Sequence, residues 1–259
     1  MSKLDGKVAW ITGAGSGIGQ AGALALAQAG ARIVVSGRRA DALRETCRQI
    51  NDVGGEAEQI ALDVADKGQV TRASKWLLKH YGRCDVLVNS AGINVPKRHY
   101  PDLVPKAWDR VINTNLNGTL YCISAVLPAM RAHNDGLVIN ISSWAGRWIS
   151  YLVGPAYGSS KHAVAALTHH LNLEEGIHGI RACVIYPGEV VTPILKARPV
   201  PPSQSTMDKM LSVEDVARAI SFVAEMPPHV CINELVVSPT WNRISVGGQE
   251  VRLGPDLPE

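Results

Sequence analysis

Charge is scarce in this chain. Asp, Glu, Lys and Arg make up 19% of 259 residues, and 26 Lys+Arg against 23 Asp+Glu leave a formal charge of only +3. So small and scattered an excess provides no footprint for nucleic acid. Membrane-length apolar runs are missing too, since the best candidate, Leu120 to Met130, is interrupted by Ser124 and Pro128, far short of a bilayer span. The opening Met1-Ser-Lys-Leu-Asp5 has charges but no apolar region after it, because Gly13, Gly15, Gly17 and Gly19 break the run. A signal peptide is therefore not expected, and a cytoplasmic location is. There is no Cys-x-x-Cys pair and no His-Glu-x-x-His run, so no metal is expected. The five cysteines, Cys47, Cys84, Cys122, Cys183 and Cys231, are odd in number, widely separated and mostly set among Val, Ile and Leu. They read as buried thiols in a reducing compartment. Adjacent His169 and His170 point to different sides of a helix, surface and flank, rather than to a common ligand.

What is abundant is apolar residues, 46% of the chain, and 24 Gly, enough for the core of one full-sized domain over residues 1–259. Short β-branched runs alternate with longer helical patterns, the signature of an α/β fold with a parallel sheet covered on both faces. Seven strands are predicted: Val8 to Thr12, Arg32 to Ser36, Ala57 to Leu62, Val86 to Asn89, Leu137 to Ile141, Arg181 to Ile185 and Glu234 to Val237. Helices are predicted to start near Ile18, Arg39, Lys67, Pro105, Ala156 and Val213, with Gly30, Gly54, Gly82 and Gly176 as C-terminal stops. Ser212 is the expected N-cap of the last helix, with Asp215 in a capping-box position. Residues 191–211 hold four prolines with several Ser and Thr. A loop that long is expected to shape a substrate site or to be a linker. The tail, 241–259, has no strong period and either frays or covers a neighbouring subunit.

The stretch Thr12-Gly-Ala-Gly-Ser-Gly-Ile-Gly19 follows an apolar strand and opens an Ala- and Leu-rich helix. A phosphate there would meet backbone N–H groups and the positive end of a helix, and a Cβ would block its approach. The spacing is not GxGxxG, because Ile18 stands where the last Gly would be. Nor is it a P-loop, which needs a Lys followed by Ser or Thr. Further along, in order, come Asn89-Ser-Ala-Gly92, Ser143, Tyr157-Gly-Ser-Ser-Lys161 and Pro187-Gly188. Five elements in this order and spacing, covering residues 5 to 240, resemble the short-chain dehydrogenase/reductase family.

The resemblance implies a Rossmann-type, doubly wound, seven-stranded parallel sheet, a nicotinamide dinucleotide cofactor and a homotetramer. It places the dinucleotide on Gly13, Ser16, Gly17, Ile18 and Gly19, with Asp63 and Val64 at the adenine and Asn89, Ala91 and Gly92 behind it, Asn89 tying the central strand to the cofactor loop. Where an NAD-preferring site carries an acidic residue, this chain has Gly37 followed by Arg38 and Arg39. A guanidinium can pair with a 2′-phosphate that a carboxylate would repel, so NADP(H) is expected over NAD(H), unless both arginines are a solvated helix start. Pro187, Gly188, Val190 and Thr192 match the family's Pro-Gly-x-x-x-Thr, which anchors the nicotinamide carboxamide.

The same resemblance assigns catalysis to Asn115, Ser143, Tyr157 and Lys161. Tyr157 and Lys161, four apart in a helical segment, share one face. A phenol is a poor base at neutral pH, but a neighbouring ammonium favours phenolate, so Tyr157 can move a proton to or from a substrate oxygen. Lys161 would also hold the nicotinamide ribose. Ser143 rather than Ser142 fits Ser-x-x-Gly, through Gly146, and would hydrogen-bond the substrate oxygen. Asn115 rather than Asn113 or Asn117 fits Asn-Leu-x-Gly. Ser143 and Tyr157 stand one residue farther apart than in many relatives. Trp144, Arg147, Trp148 and Tyr151 crowd that interval and either form the walls of a pocket for an aromatic or alicyclic ketone or pack against a neighbour. Arg147 could hold a carboxylate. Residues 232–240 look similar to a branch of the family that includes hydroxy acid dehydrogenases. The expected function is an NADP(H)-dependent alcohol dehydrogenase or carbonyl reductase acting on a small molecule, with no nucleic-acid or membrane partner. The alternatives are an NAD-linked dehydrogenase, an enzyme that retains its cofactor through dehydration or epimerisation, and a catalytically silent dinucleotide-binding regulator.

Overall fold

A computed structural model describes residues 3–242. Seven parallel strands form one sheet: β1 (Val8–Thr12), β2 (Arg32–Gly37), β3 (Ala57–Ala61), β4 (Val86–Asn89), β5 (Gly136–Ile141), β6 (Ile180–Pro187) and β7 (Glu234–Val237), in the order β3-β2-β1-β4-β5-β6-β7. The helices between them are α1 (Gly17–Gln28), α2 (Ala40–Asp52), α3 (Lys67–Tyr81), α4 (Pro105–Ile112), α5 (Gly118–His133), α6 (Gly154–Glu175), the short α7 (Gln204–Met207) and α8 (Val213–Ala224). All seven predicted strands form, with ends shifted by two residues at most.

Alternation along the central strands sends successive side chains to two separate cores. Ala9 and Ile11 of β1 join Val35, Val88, Ile139 and Ile185 beneath α1, α2 and α8. Trp10, from the same strand, joins Leu87, Val138, Leu77 and Met130 beneath α3 and α5. The indole of Trp10 is fully buried and donates to Ser36 Oγ at 2.9 Å.

Strand pairing brings the C-terminal ends level: Thr12 lies opposite Ser36 and Asn89, and Asn89 opposite Asn140. The residues that follow, Gly13, Gly37, Ser90 and Ile141, therefore share one rim. Strand order reverses between β1 and β4, and a parallel sheet opens a crevice at such a switch point.

Three local details depart from expectation. The segment from Pro105 is two helices joined by a π turn over Asn113–Asn117. Gly176 is right-handed (φ −58°) and opens a 3₁₀ turn, and the left-handed stop is Gly179 at φ +70°. Cys84, Cys122 and Cys183 are buried, but Cys231 is exposed. In the long loop, the structure forms a 3₁₀ turn at Pro193–Ala197 and then α7. Most of the tail from 241 lies outside the described residues. No helix among the described residues is long and apolar enough to cross a membrane.

Candidate active site

Two clefts open along the rim and meet around Tyr157. The larger runs past Gly13, Ser16, Gly17, Arg38, Arg39, Asp63, Val64, Ala91 and Gly92. The smaller is lined by Ser143, Trp144, Leu152, Val153, Val190 and Leu195 among others. Tyr157 lines both, as do Ile18, Asn94, Ser142, Thr192 and Ile194.

The floor of the large cleft is the glycine turn. Gly13 has φ +67°, and a Cβ there would stand 2.7 Å from the Ala91 nitrogen, so only glycine lets β1 turn this close to the chain leaving β4. Gly19 meets the Gly13 carbonyl just as closely. Thr12 fastens the two loops: its hydroxyl oxygen accepts from Ser90 N at 3.2 Å and Ala91 N at 3.3 Å. That task had been expected of Asn89. Asn89 is instead buried inside the sheet, where its Nδ2 donates to Asn140 Oδ1 at 2.9 Å, while its Oδ1 has no hydrogen-bond partner among the described residues. It does not line the cleft. A strand-end Asn can face along the sheet or out of it, and its sequence neighbours do not distinguish the two.

Ser16 is the N-cap residue of α1 but makes no side-chain cap bond, so the first-turn N–H groups of that helix open onto the cleft. At its outer end lie exposed Arg38 and Arg39; Arg39 Nη2 reaches the Gly15 carbonyl at 3.4 Å. Asp63 accepts from Ala65 N at 3.0 Å and leaves the capping of α3 to Asp66. On the far side the loop after β6 folds over the glycine turn, with Thr192 Cγ2 3.4 Å from where a Gly17 Cβ would be. The Thr192 hydroxyl donates to the Val190 carbonyl at 3.3 Å.

Tyr157, Ser160 and Lys161 lie along one stretch of α6. Ser143, which caps a 3₁₀ turn by accepting from Ala145 N at 3.2 Å, shares the wall of the small cleft with Tyr157, and its hydroxyl acts on that of the tyrosine. Ser142 is spent elsewhere: it donates to the Lys161 carbonyl at 2.9 Å. Burial pushes the Tyr157 hydroxyl above the usual tyrosine range, and the Ser143 hydroxyl and the charges of Arg198 and Arg98 pull against that rise. Lys161 Nζ donates to the Ile141 carbonyl at 2.7 Å and lies 5.6 Å from the Tyr157 ring centre. Burial draws its pKa down to about 8. Asn115 sits fully buried in the π turn, accepting from Ile93 N at 2.8 Å and donating to the Ile93 carbonyl at 3.0 Å and Ser160 Oγ at 3.1 Å. A π turn shifts the helical phase, and here Asn115 is inside while Asn117 donates to Asn113 on the outer face.

Of the four residues expected to form the substrate walls, only Trp144 lines the small cleft. Arg147 is turned away, paired with Glu234 and lying over the rings of Trp148 at 5.5 Å and Tyr186 at 5.9 Å. Trp148 packs on Trp144 with its ring tilted, centres 4.4 Å apart, and half-exposed Tyr151 stacks on His99 at 4.3 Å. The remaining walls are mainly aliphatic. Two residues unanticipated from sequence, Arg98 and Arg198, line the cleft instead. Neither sits in a motif, and nothing in their spacing marked them.

Residues 7–200 match the short chain dehydrogenase family profile. An uncharacterized oxidoreductase of Staphylococcus epidermidis is 34% identical over 239 residues, covering 92% of this chain and 100% of its own. A metagenomic short-chain oxidoreductase, solved in complex with NADP, is 33% identical, with a TM-score of 0.81 over 92% of this chain and 100% of that one. The alcohol dehydrogenase of the archaeon Thermococcus sibiricus, complexed with 5-hydroxy-NADP, is 30% identical, with a TM-score of 0.82 over 92% and 98%. The chain belongs to the short-chain dehydrogenase/reductase family of oxidoreductases, whose members use NAD(P). The large cleft fits such a dinucleotide: its glycine floor admits a phosphate where a Cβ would intrude, and the uncapped start of α1 offers N–H donors.

Proposed function

We propose that the protein is an NADP(H)-dependent oxidoreductase that interconverts an alcohol and a carbonyl, with Tyr157 as the proton-transfer group. The observation that carries this reading is the position of Tyr157 at the junction of the two clefts, with Ser143 on the wall of the smaller one. Bound in the large cleft, a nicotinamide dinucleotide supplies or takes up the hydride. In the reducing direction the carbonyl oxygen rests between the hydroxyls of Ser143 and Tyr157. As hydride reaches the carbonyl carbon, the Tyr157 proton passes to that oxygen, giving the alcohol. A hydroxyl held above its usual pKa stays protonated through neutral pH, the form that reduction needs. Lys161 and Asn115 support the step, the ammonium 5.6 Å from the tyrosine ring and the amide fixing Ser160 and the loop at Ile93.

Arg38 and Arg39, at the outer end of the cleft, are the residues we assign to a 2′-phosphate. The two NADP-bound structural relatives favour the same choice. Residues 191–211 contribute Thr192, Ile194, Leu195 and Arg198 to the small cleft and act as its substrate loop. In solution the protein is expected to be a homotetramer.

Oxidation of NADPH and NADH, followed side by side over aromatic, alicyclic and β-keto acid carbonyls, tests this. NADPH-selective turnover that falls at least 100-fold in Tyr157→Phe, with cofactor binding retained, is the expected result. Undiminished turnover in Tyr157→Phe would remove the tyrosine from the mechanism.

A further inference from the structure

The last strand, β7, opens on a charge. In Glu234-Leu-Val-Val237 the carboxylate stands opposite Val184 of β6, and alternation puts it on the face that carries Val184 and Tyr186, packed beneath Ala165 of α6. Three donors converge on it there. Tyr186 Oη donates to Glu234 Oε1 at 3.0 Å, and His169 Nε2, from α6, lies 2.9 Å from the same oxygen. Arg147 Nη1 donates to Oε2. Burial alone would raise the Glu234 pKa, but the bonds from Tyr186 and His169 and the charge of Arg147 outweigh it and hold the carboxyl below the usual Glu range. A carboxylate only accepts, so the facing His169 nitrogen carries its hydrogen. A lone surface pair of Arg and Glu contributes little to stability, whereas this carboxylate is already fixed by a tyrosine 2% exposed and by a helix before Arg147 meets it.

None of Glu234, Tyr186, His169 and Arg147 lines either cleft. The cluster reaches the site through rings. The Arg147 guanidinium lies over Trp148, 5.5 Å from its centre, and Trp148 packs on Trp144 with centres 4.4 Å apart and planes tilted by 32°. Trp144 is the next residue after Ser143 and forms the cleft wall beside it. The backbone between them is one tight turn: Gly146 N donates to the Ser143 carbonyl at 2.8 Å, and Arg147 N and Trp148 N donate to the Trp144 carbonyl at 3.1 and 3.0 Å. Its other side is pressed on α6, where a Cβ on Gly146 would stand 2.7 Å from the Lys161 carbonyl oxygen. The turn that presents Ser143 and Trp144 is thus pinned by α6 on one side and by β7, through Arg147, on the other.

We propose that Glu234 is a positioning residue of the substrate cleft: through Arg147 and Trp148 it holds the Trp144 indole as the wall beside Ser143, and so limits the width of the substrate that the cleft accepts. This rests on the reading of Ser143 and Tyr157 as the place of the reacting oxygen. Arg147 then has a task in specificity without touching the substrate, because its guanidinium is committed to Glu234 and to the ring of Trp148.

The test joins kinetics to spectroscopy on Glu234→Gln, Arg147→Met and the double variant. NADPH-driven turnover is compared within two pairs of carbonyls that differ in width, cyclohexanone against decalone and acetoacetate against benzoylacetate. In a pair that is turned over, kcat/KM for the narrower over the wider member should fall about fivefold or more in each single variant and no further in the double, since both substitutions cut one chain of contacts. That ratio does not depend on the fraction of protein folded, and KM for NADPH should move less than about threefold, because Trp144 does not line the large cleft. Two indoles this close couple in circular dichroism, and the couplet should fall in both single variants toward the baseline set by Trp148→Phe. An unchanged ratio in either single variant, or losses that add in the double, overturns the proposal while leaving the reductase reading intact. Turnover of neither pair counts against the reductase reading, and the couplet then decides alone: kept in both variants it overturns the clasp, and lost in both it upholds it.

Discussion

Tyr157 and Lys161 are both charged with difficulty where they sit, and each shows what its position costs. Burial lowers Lys161 from 10.5 to about 8. Below pH 8 the lysine is protonated in both the folded and unfolded states, so the folded state bears the whole burial cost, about 3 kcal/mol. Above 10.5 it is neutral in both states and the cost is gone. Lys161→Met should therefore be more stable than the wild type at pH 7, by about 1–2 kcal/mol once the lost bond to the Ile141 carbonyl is set against it. Urea denaturation should show this gap narrowing as pH rises from 8 toward 10.5; a constant gap would contradict the assignment. At the other end of the large cleft, Arg38→Ala combined with Arg39→Ala is expected to raise KM for NADPH at least tenfold. KM for NADH should move less than threefold, and steady-state kinetics with both cofactors separates the two.

At the scale of elements, the last helix shows how an end is fixed. α8 opens with a complete capping box: Ser212 Oγ accepts from Asp215 N at 3.3 Å and Asp215 Oδ2 accepts from Ser212 N at 2.9 Å. Ser212→Ala should lower stability by about 1 kcal/mol, about 2–4 °C in Tm for a domain of this size. Calorimetry checks it, and activity should survive, because α8 packs under the sheet away from both clefts. The π turn between α4 and α5 was not legible in the sequence, since periodicity in Asn113-Thr-Asn-Leu-Asn117 does not register one extra residue per turn. Yet that turn separates a buried Asn115 from a solvent-facing Asn113.

The whole molecule is closed at the opposite end of the sheet, beneath the rim that holds the site. Asp85, 5% exposed, accepts from the Val8 backbone N–H at 2.8 Å and from Arg83 Nε at 2.8 Å, and Lys7 Nζ bridges it at 3.2 Å to Asp135 at 2.6 Å. Burial alone would raise its pKa, but Arg83, the Val8 N–H and Lys7 outweigh burial and hold the carboxyl below the usual Asp range. A carboxyl depressed in the folded state stabilises above its unfolded pKa of about 4 and loses that contribution as pH falls through the folded value. Asp85→Asn should cost about 2 kcal/mol at pH 7, a buried-pair loss discounted for the half-exposed Lys7 and Arg83. The difference from wild type should shrink as pH falls below about 4, and guanidinium melts at pH 7 and pH 3 measure the decrease.

The strands, the glycine turn and the Tyr157 to Lys161 spacing were legible in the sequence because each is a local pattern: alternation, a positive φ, one helical turn. Ser143 against Ser142 and Asn115 against Asn113 could be chosen only through resemblance to a family. What the tertiary structure alone decided are pairings across long sequence separations. Thr12 rather than Asn89 ties the cofactor loops, Arg147 turns to Glu234, and Arg98 and Arg198 meet 100 residues apart at the same tyrosine. The physical reason is that a side chain's direction at the end of a strand or within a loop is set by the surface it packs against, and that surface exists only once the sheet has assembled.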